Sequence, residues 1–373
     1  MAQEGKQGPG SAVPAAPGPF HALPAPGLPD GVSACISRLR VPLMLGPVLV
    51  HACLAPESSP LQFILARLVG DVAVPAFFFI SGLLYFSSFD WTARSWSRKL
   101  AGRARSIVIP YFIWNLAAYL AFAYAVHILA KPDFIKSFWA VRVARRGIAT
   151  APANGPLYFL KGILFLTAAA PAAGAILRRR ATAWLAPAAV AFWVFSPTPA
   201  LASKMSIIGS ALFVFGGFAA LHGRRVMGAL AGGGRRARIA AVSAYIAASA
   251  AAFALHAAGA DSGPARRLAV VTGIGAAFAL APLARGRIAA LLERHQGFGM
   301  FLFCTFDIVL VYARARWRGQ LYLTANSTCL LCAAIAIAVP LAAYAILWAA
   351  APGLLAVLTG NRADRRPGTR RLG

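Results

Sequence analysis

The chain is built from apolar segments long enough to cross a bilayer, joined by short loops that hold most of its charge. A helical span needs about 20 mostly apolar residues to cover a hydrocarbon core of about 30 Å. Ten segments qualify, at about 39–56, 66–88, 107–129, 156–177, 182–196, 205–222, 238–259, 267–284, 297–313 and 326–351. Backbone polar groups in lipid must be bonded internally, which leaves only helices or closed barrels. No segment alternates strictly between apolar and polar residues, and this argues against a barrel. The expected fold is an all-α integral membrane protein, a polytopic bundle of about ten transmembrane helices. Composition agrees. Charged residues make up 13% of the chain and hydrophobic ones 59%. A soluble domain carries about 25% charge, and this chain has too little to cover a surface facing water.

The organisation expected is a single membrane domain over residues 33–358, flanked by two tails. Residues 1–32 are rich in Pro, Gly and Ala and contain no long apolar run, so they read as a disordered cytoplasmic tail rather than a signal peptide. Residues 359–373 form a short basic tail. The net charge of +27 would suggest nucleic acid in a soluble protein. Here no basic stretch interleaved with aromatics lies outside the apolar segments, and nucleic acid is set aside. Arg and Lys gather instead in loops on the cytoplasmic side of membrane proteins. With the N-terminus inside, the inner loops and C-terminal tail hold roughly twice as many basic residues as the outer loops. Both termini are therefore expected in the cytoplasm. The outer segment 130–155, with five basic residues, runs against this bias.

Four of the five cysteines, Cys53, Cys304, Cys329 and Cys332, fall in apolar segments and read as buried small hydrophobes. No cysteine or histidine spacing suits zinc, and no metal site is expected.

Ionisable groups in hydrocarbon are costly, so each is a candidate for function. Arg40 and His51 share the first span, eleven residues apart. At about 100° per residue they lie on one helix face, separated by about 16 Å along the axis. Pro42 and Pro47 stand between them and can kink the helix. Arg40 reads either as an interfacial arginine or as a phosphate ligand. His51 reads either as a packing histidine or as a general base. The spacing suits a long donor with phosphates at one end and a reactive group at the other, as in coenzyme A.

Four stretches carry a resemblance to the acyltransferase-3 family of membrane O-acyltransferases. Arg40-VPLMLGPVLV-His51 matches the Arg, ten residues, His pattern of its first span. VAVPAFFFISGLLYF at 72–86 is similar to its second span. SRKLAGRARSIVIPYFIWN at 97–115 resembles its basic loop and third span. GPLYFLKGILFL at 155–166 resembles the start of its fourth. Three departures stand out: Tyr158 where Trp is common, Lys161 where Arg is common, and no histidine in the ninth span. Phe303-Cys304-Thr305-Phe306 occupies that last stretch, followed by Asp307.

The resemblance implies a ten-helix fold in a bacterial inner membrane and transfer of an acyl group, acetyl above all, from cytoplasmic acyl-coenzyme A. The acceptor implied is a hydroxyl of a surface or exported glycan or small molecule. No permanently bound cofactor is expected. The resemblance implies His51 as the catalytic histidine, with Arg40, Arg103 and Arg105 handling the donor. Glu57, as an acid near His51, Lys161, as a phosphate ligand or a snorkelling lysine, and Asp307, in place of the missing histidine, are further candidates for lining the site. Asp71 and Arg67 read as a local pair four residues apart. The rival class is a ten-span transporter or flippase, which inverted repeats would favour. The two halves of the chain show no such similarity.

Overall fold

The computed structural model describes residues 27–127, 152–196, 205–317 and 324–361, with the side chains of 125–127, 205–206 and 315–317 set aside. Most of the expected tails and of the 130–155 segment lie outside the described residues.

Among the described residues every regular element is a helix. Short turns apart, in chain order they are α1 (Val32–Ala52), α2 (Pro60–Ser87), α3 (Ala93–His127), α4 (Tyr158–Arg178), α5 (Leu185–Phe195), α6 (Met205–Leu221), α7 (Arg224–Ala231), α8 (Arg235–Ala257), α9 (Gly263–Leu280), α10 (Gly286–Arg294), α11 (Gln296–Trp317), α12 (Ala325–Ala350) and α13 (Pro352–Leu358). Eight of them are long and apolar enough to cross a membrane: α1 to α4, α8, α9, α11 and α12. A ninth crossing arises if α6 and α7, bent by 90° at Leu221–Arg224, count as one span. The apolar helix Arg180–Phe195, which contains α5, is shorter. It reaches about 24 Å at 1.5 Å per residue, less than an average hydrocarbon core. Each of the ten segments read from sequence is thus helical, but two of them fall short of a straight, full-length span.

Helix ends depart from the apolar windows. α1 starts at Val32 and α3 at Ala93, well before their apolar runs. An α-helix continues through polar sequence wherever its backbone bonds can form, and a hydropathy window does not register that extension. At the start of α3 the Thr92 hydroxyl accepts from Ser95 N–H and donates to Asp90, and these local bonds hold the Asp90 carboxyl below the usual carboxylate range.

Small residues bring the helices close. A Cβ at Gly46 of α1 would come within 2.9 Å of Gly70 O in α2, and one at Gly70 within 2.7 Å of Val50. Glycine at this crossing lets the two backbones meet. Gly273 packs in the same way against Val72 and Tyr245. Around the crossing, α2 changes from π-helix at Phe63–Val69 to a single 3₁₀ turn at Gly70–Val72. Such bulges re-aim side chains and cluster at functional sites. Pro42 and Pro47 sit inside α1 without ending it.

The cysteines require one correction. Cys53, at the end of α1, and Cys329, in the first turns of α12, form a disulfide with Cα atoms 4.8 Å apart. Their separation of 276 residues hid the pairing from local reading. Cys35, Cys304 and Cys332 are buried and lie outside this disulfide, as small hydrophobes would be.

Candidate active site

The site is a ladder between α1 and α11. On α1 the residues 40, 44, 47 and 51 follow the 4-3-4 spacing of one helix face. On α11 the residues 296, 300, 303 and 307 do the same. At one end, Arg40 Nη1 donates to Gln296 Oε1 at 2.5 Å. One turn along, Gly299 leaves room for Met44, whose Cγ would stand 3.3 Å from a Cβ there. At the other end, His51 Nδ1 lies 3.8 Å from Asp307 Oδ1. The two end pairs are eleven residues apart on both helices, so α1 and α11 run parallel.

Two cavities lie along this ladder. The larger, about 540 Å³, opens at the Arg40 end. Arg40, Arg103, Arg294, Glu293 and Gln296 line its polar part, and Met44, Phe77, Ile80, Phe159, Ile163 and Phe303 line its apolar part. Neighbouring Arg38 donates from Nε to Glu293 at 2.7 Å and offsets that acid. Three guanidinium groups against one engaged carboxylate make the mouth cationic, and arginine suits phosphate recognition. The smaller pocket, about 60 Å³, holds His51, Asp71 and Tyr158 with Pro47, Val50, Gly70, Val74 and Pro156. Phe303 lines both cavities.

Side-chain exposure divides the pair at the His51 end. His51 keeps 38% of its side-chain surface accessible, while Asp307 keeps 6%. The Phe306 ring meets the imidazole edge-on, with centroids 5.5 Å apart. The loop after His51 is tied down as well. Gln62 accepts from Ala55 N–H at 3.0 Å, and Ser59 donates to Asn326 at 2.6 Å. With the Cys53–Cys329 bridge these bonds fasten the end of α1 to the start of α12.

The expected site residues therefore separate. Arg40 and Arg103 line one cavity, and His51 and Asp307 stand together beyond it. Arg105 is exposed and is not among the lining residues. Lys161 is likewise exposed, on the other side of its helix from Leu160 and Ile163, which do line the cavity. Asp307 is the acid that the structure sets against His51, and Glu57 has other partners. It sits on an ion cluster with Arg67 at 2.8 Å, Arg266 at 3.6 Å and His256 at 3.8 Å. Asp71 pairs with Arg67 at 3.9 Å as the sequence suggests, but it also contacts Arg266 at 3.4 Å and reaches the His51 pocket. The π-to-3₁₀ transition lies immediately before and at Asp71, a distortion that carries no sequence signal.

Four residues escaped the sequence reading: Gln296, Phe303, Tyr158 as a wall of the pocket, and Asn154. Asn154 is fully buried. It donates from Nδ2 to Cys304 O at 2.7 Å, and its N–H donates to Asn115 Oδ1 at 3.2 Å, which ties the chain before α4 to α11 and α3. The 4-3-4 spacing along α11 was the available signal, but nothing in the sequence says which helix that face meets.

Residues 34–347 match the acyltransferase-3 family, described as an acyltransferase domain. The chain belongs to this family. It is a multi-pass membrane acyltransferase that transfers groups other than amino-acyl groups, and the transporter alternative falls away. A protein of Rhizobium meliloti (strain 1021) named succinoglycan biosynthesis protein ExoH is 28% identical, over 89% of this chain and 93% of its own length. No solved structure matches the chain.

Proposed function

We propose that this acyltransferase moves an acyl group, acetyl in the simplest case, from acyl-coenzyme A in the Arg40 cavity to a hydroxyl in the His51 pocket. One observation carries this reading. A cationic cavity and a histidine pocket lie along the same two helices, with Arg40 and Arg103 at one end and His51 at the other. That polarity suits a donor whose phosphates need guanidinium groups and whose thioester must reach a base.

The chemistry follows from the groups present. Asp307 faces His51 Nδ1 and orients the ring, and Nε2 takes the proton of the acceptor hydroxyl. The acceptor oxygen attacks the thioester carbonyl. A C–O bond forms, the C–S bond breaks, and the departing thiolate takes the proton back from the imidazolium. Asp71 and Tyr158 supply hydrogen-bonding groups for the acceptor. The name of the Rhizobium relative supports a polysaccharide acceptor, and its bacterial source supports an inner-membrane location.

Three observations support an even number of spans, eight or ten, with both termini in the cytoplasm. Parallel α1 and α11 require an odd number of crossings between them. α2, α3, α4, α8 and α9 supply five, so α5 and the α6–α7 pair either both cross or neither does. The basic loops favour an inward-facing Arg40 end. A disulfide persists in an oxidising compartment, and the Cys53–Cys329 bridge lies at the His51 end.

The test is turnover. Purified protein in lipid discs should release free coenzyme A from acetyl-coenzyme A, faster when a hydroxyl-bearing glycan is present. No release from any acyl-coenzyme A, with or without acceptor, would contradict the reading.

A further inference from the structure

The donor cavity does not run openly into the His51 pocket. Its apolar end is closed by Phe303, the residue that lines both spaces. The Phe303 ring is 2% exposed and packed on two sides. Phe159 meets it edge-on with centroids 5.7 Å apart, and Phe306 lies at 6.3 Å and itself touches His51. Phe159 is backed in turn by Phe78 at 4.8 Å and Phe77 at 6.0 Å. The backbone of α11 is held at this level by the Asn154 bond to Cys304 O. A ring fixed in this way stands as a wall shared by the two spaces.

We propose that Phe303 is the specificity-determining residue of the acyl passage, selecting short acyl groups by closing the donor cavity against the His51 pocket. The proposal rests on the donor and base assignments above. The walls around the ring are apolar: Met44, Phe77, Ile80, Phe159, Ile163 and Met300. They tolerate a hydrocarbon tail of any length up to the ring and leave the ring as the limit. In such apolar pockets one methylene typically changes kcat/KM by about 10- to 200-fold, so the size of a single side chain can set the choice.

The experiment has two arms. In the first, kcat/KM is measured for acetyl- and butyryl-coenzyme A with wild type, Phe303→Leu, Phe303→Ala and Phe303→Trp, each checked for intact coenzyme A binding. Trimming the ring should raise the butyryl-to-acetyl ratio, by at least about tenfold for Phe303→Ala. Phe303→Trp should lower acetyl transfer while coenzyme A still binds. A ratio unchanged within twofold in both Phe303→Leu and Phe303→Ala would overturn the proposal. The second arm needs no turnover. Val74→Cys places a thiol in the His51 pocket. In inside-out vesicles a small charged methanethiosulfonate should modify it slowly when Phe303 is present and at least about tenfold faster with Phe303→Ala. Equal rates would overturn the partition. If wild type transfers no acyl group at all and the labelling rates still differ, the donor reading fails and the partition stands.

Discussion

His51 Nδ1 and Asp307 Oδ1 face each other at 3.8 Å, at the same height on two parallel helices as Arg40 and Gln296 are eleven residues below. Asp307 is almost fully covered and His51 partly open. That asymmetry suits a buried carboxylate orienting a histidine that meets substrate.

Asp307→Asn should therefore slow transfer and leave the donor site intact. Orienting carboxylates behind catalytic histidines contribute up to about 10⁴ in kcat. At the longer separation here we expect a loss of at least about tenfold, with coenzyme A affinity within twofold of wild type. Loss of binding together with rate would make Asp307 structural.

Arg40→Ala and Arg103→Ala should each weaken coenzyme A binding, and higher salt should weaken it further. Arg105→Ala, on an exposed side chain, should change it little. Arg40→Lys should rescue only in part, because an ammonium group cannot make the bidentate contact of a guanidinium. Calorimetry or fluorescence titration with coenzyme A distinguishes these outcomes. Equal losses for Arg103 and Arg105 would return the donor contact to the loop as a whole.

Parallel α1 and α11 leave two topologies, and one position separates them. A reporter fused after residue 200 should report the outside if α5 and α6 both cross, and the cytoplasm if neither does. Fusions after residues 100 and 373 should report the cytoplasm in either case, and one after residue 58 the outside. An external C-terminus together with an external residue 58 would contradict the parallel arrangement.

The parts of the site that lie within one helix were legible from sequence. Arg40 and His51 share a face of α1, so helical periodicity alone related them. The basic run before Ile107 marked α3, although only packing separates Arg103 in the cavity from Arg105 outside it. Pairings between distant segments were not legible. Cys53 and Cys329 are joined across 276 residues, and Phe303 acquires its place only when α11 meets α1. Asp71 was hidden for another reason. Its neighbour Arg67 satisfies it locally, so the sequence gives no sign that the π-helical turn also brings it to the His51 pocket.

The proposed general-base role of His51 is tested most directly by His51→Gln, assayed with saturating donor and with acceptor present. Glutamine keeps hydrogen-bonding capacity at the end of α1 but does not titrate. Interhelical hydrogen bonds in membranes average only about 0.6 kcal/mol, so the variant should still insert, fold and bind coenzyme A. A general base contributes about 10² to 10⁴ in rate, so transfer should fall at least about a hundredfold. A rate close to wild type would make His51 a packing residue and contradict the mechanism.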